Sequence, residues 1–164
     1  MARFSITIES KGGPELKRGF NKITAEIGNL RPHFEAVKSN IFEITKEVLS
    51  SEGGKGADGR FEPLSSPYEE IKAVNYPGKP ILQASGTMFE SLTSETGDTI
   101  FNVTRDGLEF GSSLPQFGFH RTGTKRMPKR DPLSFTRNQK ERVFRRFRKS
   151  LLAEIQKSGL EVKE

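Results

Sequence analysis

The 164-residue chain contains no cysteine and no tryptophan. The first absence excludes disulfides and every zinc, haem or iron–sulfur site that needs a thiolate. It also fits a reducing compartment. Histidine is scarce too: His33 and His120 are the only two, so no histidine-rich metal centre can form. Long apolar runs are missing as well. Nothing approaches the roughly 18 residues that span a bilayer, and the start, Met1-Ala-Arg-Phe-Ser-Ile-Thr-Ile-Glu, has no apolar signal-peptide core. The expectation is a soluble protein made in a cytoplasm. No Gly-x-Ser-x-Gly elbow and no Gly-x-x-x-x-Gly-Lys-Ser/Thr phosphate loop occurs. Gly53-Gly54-Lys55-Gly56 follows a helical pattern rather than a strand, so it reads as a flexible loop. Glu69-Glu70 are adjacent, which separates no acid from base. His33 reads as a surface or packing residue and His120 as structural or interfacial. No catalytic, metal or cofactor-binding residue is assigned, and no cofactor is expected.

What the chain does have is phenylalanine and unevenly spread charge. Thirteen Phe stand against two Tyr, so Phe is the main large core residue. Each can bury roughly 150–250 Å². The hydrophobic fraction, 32%, suits a modest core with polar extensions. The net charge is +6, but residues 121–149 hold twelve Lys or Arg against Asp131 and Glu141. The remainder is net acidic. This asymmetry marks Arg121–Lys149 as an interaction surface. The plain alternative is that the charged side of a helix faces water, as most do.

The length argues for one domain over 1–164. Phe4, Ile6 and Ile8 alternate with polar residues, which predicts a short strand. Leu16, Phe20, Ile23, Ile27 and Leu30 recur at three- and four-residue steps. Phe34, Val37, Ile41, Ile44 and Val48 continue the pattern beyond Pro32. One kinked helix or two abutting helices are predicted over Glu15–Ser50, with the interruption at Pro32. Residues 53–79 read as a long, flexible loop, with Phe61, Leu64 and Tyr68 packing part of it down. A short helix follows over Pro80–Ser94. Leu82, Met88 (or Phe89) and Leu92 form its apolar face, and Gly86 lies inside it for close backbone approach. Thr99–Thr104 and Leu108–Gly111 form a hairpin about Asp106-Gly107. Phe117–His120 begins a third element. Residues 121–133 form a basic loop, stiffened by Pro128 and Pro132. The last helix is capped by Thr136 and packs Val143, Phe147, Leu151 and Ile155, with Phe144 and Leu152 broadening the face. Residues 159–164 read as a flexible tail. The fold class is α+β: a small antiparallel β-sheet packed against a long N-terminal helical region, a short middle helix and a C-terminal helix.

Four segments carry a family resemblance. Gly78-Lys79-Pro80-Ile81-Leu82-Gln83-Ala84-Ser85-Gly86-Thr87-Met88-Phe89-Glu90-Ser91-Leu92 resembles the "IL-x-x-(S/T)-G-x-(L/M)-x-x-S-L" helix of phage virion morphogenesis proteins. Phe119-His120-Arg121-Thr122-Gly123-Thr124 looks like that family's His-x-x-Gly turn. Met127-Pro128-Lys129-Arg130-Asp131-Pro132-Leu133 looks like its "(I/M)-P-x-R-x-(F/P)-(F/L)" signature. Gly59-Arg60-Phe61-Glu62-Pro63-Leu64-Ser65 is similar to its aromatic-x-Pro-Leu segment, with Phe where Trp is commoner. The resemblance covers about residues 60–133. It implies a non-enzymatic structural protein of the virion, present in the host cytoplasm during assembly. The implied work is tail completion or head–tail joining, as a tail terminator or neck protein. The implied partners are other tail or head–tail connector proteins and copies of itself in a ring, a hexamer being favoured. The expected partner interface is His120, Arg121, Lys125, Arg126, Lys129 and Arg130. Arg142, Arg145, Arg146, Arg148 and Lys149 form a secondary basic surface, with a non-specific contact to DNA in the channel. The alternative is a basic nucleic-acid-binding accessory protein. No helix-turn-helix or single-strand stacking platform is legible, so sequence-specific reading is not expected.

Overall fold

A computed structural model of the chain describes residues 29–105 and 107–157. The expected strand at Phe4–Ile8, the helical pattern at 15–28, the turn residue Asp106 and the tail 159–164 lie outside them.

The apolar spacing beyond Leu30 builds two helices, α1 (Arg31–Glu35) and α2 (Lys38–Ser50). Phe34, Val37, Ile41, Ile44 and Val48 are all buried, as three- and four-residue steps on one face require. Asn29 and Leu30 are not helical, and Pro32 stands in the first turn of the helix that follows, α1, where its missing N–H costs no hydrogen bond. A further break, not expected from the spacing, falls at Ala36–Val37. Thr45 sits fully buried in α2, and its hydroxyl donates to the carbonyl of Ile41 at 2.8 Å. After α2 the chain turns through Gly53 at φ +83°, where a Cβ would meet the carbonyl oxygen of Gly59 at 2.5 Å.

The segment expected as loop at 53–79 contains a helix, α3 (Ser66–Asn75). Pro67 and Glu69 in its first turn are helix-start signals. Its apolar residues face away from the core, so the usual periodic signal was absent. Phe61 packs down as expected, whereas Tyr68 stays exposed.

The helix expected over Pro80–Ser94 is shorter. Residues 80–85 form turns, and α4 runs Thr87–Thr93. Gly86 is not in its interior. It caps the helix at φ 85°, and a Cβ there would meet only Glu90 Oε1, at 3.8 Å. Backbone angle rather than close approach therefore explains this glycine.

The hairpin forms as expected. Strands β1 (Thr99–Val103) and β2 (Leu108–Ser112) pair antiparallel, with Phe101 opposite Phe110. Phe42 from α2 lies against both rings, at centroid distances of 6.1 and 5.7 Å. Helix α4 packs against α2 and both strands. The Ser91 hydroxyl ties it to β2, lying 2.8 Å from the Ser112 hydroxyl and 2.9 Å from the carbonyl of Met88 in its own helix.

The third element is helix α5 (Pro115–Thr122). It takes Arg121 and Thr122 out of the expected basic loop. The last helix, α6 (Arg137–Lys157), begins with a reciprocal cap. The Gln139 N–H donates to Thr136 Oγ1, and the Thr136 N–H donates to Gln139 Oε1 at 2.8 Å. Phe147, Leu151 and Ile155 are buried, with Phe147 stacked 4.8 Å from Phe34. Phe144, expected to broaden this face, is 40% exposed. His33 is a packing residue, 3% exposed. It meets Phe147 edge-on and lies 2.9 Å from the Ser150 hydroxyl. The architecture is α+β, as expected.

Candidate functional site

The segment after α3 is anchored to the end of α2. The Ile81 N–H donates to the Glu52 carboxylate at 2.8 Å, and the Gln83 amide to the carbonyl of Leu49 at 3.1 Å. Between these anchors Leu82 adopts φ 67°, a left-handed conformation that is costly without a compensating structure. It turns the chain into the Gly86 cap.

On the other side, α5 ends at Gly123, whose φ and ψ are 73° and 172°. That region is essentially reserved for glycine. A Cβ there would lie 3.0 Å from the backbone nitrogen of Lys129. The chain then makes a tight turn in which Thr124 and Met127 pair through their backbones. Lys125 and Arg126 stand at its exposed tip. Arg130 comes back beneath it. Its N–H donates to the carbonyl of His120 at 2.7 Å, and its guanidinium donates to the carbonyls of Glu62 and Pro63 at 2.7 and 2.6 Å.

These connections enclose a groove of about 670 Å³. Pro63, Leu64 and Ser65 form one wall, and Leu82, Ala84, Ser85 and Met88 another. His120, Arg126, Met127, Pro128 and Arg130 close it, with Tyr68 and Lys72 from α3 at the side. Among the described residues no Asp or Glu lines it. Apolar walls with cationic edges fit an acidic, partly apolar segment of a partner protein. His120 Nδ1 is buried without a hydrogen-bond partner among the described residues. Burial, and then the charge of Arg130, hold its imidazole below the ordinary histidine value.

The expected interface residues separate into different roles. Lys125 and Arg126 are exposed. His120 is half-buried in the groove wall. Arg121 is half-buried, 3.4 Å from Asp131 and over the Phe117 ring. Lys129 forms a 2.6 Å ion pair with Asp58, which raises the lysine and lowers the carboxyl. Arg130 departs most from expectation. It is 4% exposed, so its charge is committed to the fold rather than presented to a partner. Burial draws it below the usual guanidinium range, against opposing contributions from Glu62 and Tyr68.

The second basic surface also divides. Arg142 reaches Glu43 and Glu47 on α2, at 3.3 and 3.2 Å. Arg146 contacts the carbonyl of Ala36 at 3.4 Å. Arg145, Arg148 and Lys149 project outward. Sequence reasoning missed Tyr68 and Lys72 as groove residues, because the helix that carries them was read as loop. Pro67 and Glu69 were the available signal.

Among the described residues no cluster of His, Asp and Glu could hold a metal ion, and no helix is long and apolar enough to cross a membrane. No family model, curated protein or solved structure matches the chain.

Proposed function

We propose that this protein is a structural component of a tailed-phage virion, acting in tail completion or head–tail joining as a homo-oligomeric ring. One observation carries the reading. The four segments that resemble phage virion morphogenesis proteins are scattered over about residues 60–133, yet residues from all four line a single groove. A partner that docked there would meet all four at once. The groove is held open by hydrogen bonds between its own walls, notably those of Arg130. A preorganised surface loses little conformational freedom on docking.

The test is a phage deleted for this gene. Separate heads and tails are expected, restored to joined particles by the wild-type protein but not by Ser85→Asp/Arg126→Glu, whose two positions are exposed groove residues. Fully joined, infectious particles from the deletion would refute the proposal. A second reading, non-specific DNA binding, is favoured by the outward Arg145, Arg148 and Lys149. It requires retardation of duplex DNA that weakens steeply with salt.

A further inference from the structure

Helix α3 is inverted with respect to an ordinary surface helix. Lys72 alone among its ten residues is buried, and its ammonium donates to the carbonyl of Lys79. Ile71 and Val74 are 56% and 80% exposed. They are three residues apart, and Glu70 lies four before Val74, so the three share the outer face. Glu69 lies on the other side of the helix, where it lines a pocket together with the buried Lys72. Within the described residues Glu70 has no ion-pair partner. The outer face of α3 is therefore apolar at its centre and acidic at its edge. Exposed apolar patches rimmed by charge mark contact surfaces.

Helix α6 carries the complement. Phe144 is exposed, with Lys140 and Arg148 one turn to either side and Arg145 and Lys149 in the next row. Arg137 is paired with Glu141, and Arg142 with Glu43 and Glu47. Lys140, Arg145, Arg148 and Lys149 have no carboxylate partner among the described residues. This face is apolar at its centre and cationic around it. Both faces are apolar at the centre and they are opposite in charge, and among the described residues no ion pair joins them within one chain.

We propose that the outer face of α3 in one subunit docks on the Phe144 face of α6 in the next, with Glu70 meeting Arg145, Arg148 and Lys149. Because the two faces differ, the contact is head-to-tail, the kind that generates rings when the rotation closes. The inference deepens the assembly reading and rests on it for ring closure. The pairwise contact stands on the two surfaces alone.

Charge-reversed variants of the full chain test it. Glu70→Lys makes both faces cationic, and Arg145→Glu/Arg148→Glu/Lys149→Glu makes both acidic. All four positions are exposed, and circular dichroism checks that the fold is kept. By sedimentation at low salt the wild type should self-associate, and each variant alone should associate at least about tenfold more weakly, since like charges are brought together. An equimolar mixture of the two variants should regain association, because each contact between unlike variants joins opposite charges. Ile71→Ser/Val74→Ser should weaken association without restoring it in any mixture. A wild type that stays monomeric at all concentrations, or a mixture no tighter than its components, would overturn the proposal. So would a wild type that fails to self-associate yet binds a duplex DNA probe through Arg145 and Arg148. Virion phenotypes do not enter this measurement, so its failure is separable from failure of the assembly reading.

Discussion

Arg130 Nη2 lies 2.6 Å from the carbonyl oxygen of Pro63, 67 residues earlier in the chain. With the 2.7 Å bond to Glu62, it fastens one wall of the groove to the other. Losing the side chain removes two part-buried hydrogen bonds from a charged donor, each worth about 1.5–3 kcal/mol. Arg130→Met is expected to destabilise the protein by roughly 2–4 kcal/mol, and Arg130→Lys by less. Arg126→Ala, at the exposed tip of the same loop, should stay within about 0.5 kcal/mol. Urea unfolding of the three variants checks the ranking. Equal effects would show that Arg130 is no strut.

Gly123 permits the turn that brings Arg130 home. Gly123→Ala forces a Cβ into a conformation near φ 73°, ψ 172°, and toward the Lys129 backbone. A loss of about 1–3 kcal/mol is expected. Gly53→Ala should cost at least as much, because the obstruction at 2.5 Å is a backbone carbonyl. Gly97→Ala, which meets nothing within 4 Å and has no positive φ, is the control and should be near neutral in thermal melts.

His33 and His120 are both held below the ordinary histidine value, in each case chiefly by burial. The unfolded chain therefore takes up protons first as pH falls. Stability should be full above the ordinary value of about 6.5 and decline as pH drops through the folded values. Denaturant midpoints measured between pH 7.5 and about 5 should fall. His33→Gln/His120→Gln should flatten that slope. An unchanged slope would mean that other groups set it. Asp58 shifts the other way, because its bond from Lys129 favours the carboxylate. Its contribution disappears only in more acidic solution, below the carboxyl's ordinary value.

Thr136 and Gln139 cap α6 reciprocally. Thr136→Ala should cost about 1 kcal/mol. Gln139 also donates to the carbonyl of Lys55 at 3.0 Å, so Gln139→Ala should cost more than the threonine variant. Lys129→Met, which breaks a half-exposed pair with Asp58, should cost less than about 1 kcal/mol. Chemical denaturation orders the three.

Elements that bury an apolar face were legible in the sequence. The spacing of Ile41, Ile44 and Val48 announces α2, and that of Phe147, Leu151 and Ile155 announces α6, because burial imposes a period of 3.6. The hairpin was legible for a similar reason: Phe101 and Phe110 face each other across two short apolar-rich runs, and Asp106-Gly107 stands between those runs in the sequence. Helix α3 was not legible, since its Ile71 and Val74 face outward and no core enforces a period on it. The extent of α4 was misjudged because Leu82 continues the apolar spacing through a turn that a positive φ, not a helix, creates.

Charge followed the same division. The excess of Lys and Arg over residues 121–149 was a property of the sequence alone, and so was the chain order of the four segments, whereas their meeting in one groove is tertiary. Which cations remain outward was decided by tertiary contacts. Arg130 turns inward to backbone carbonyls more than sixty residues away, Arg142 to two glutamates on α2, and Lys129 to Asp58. Only packing brings those acceptors within reach, and only packing leaves Phe144 and its neighbouring arginines uncovered.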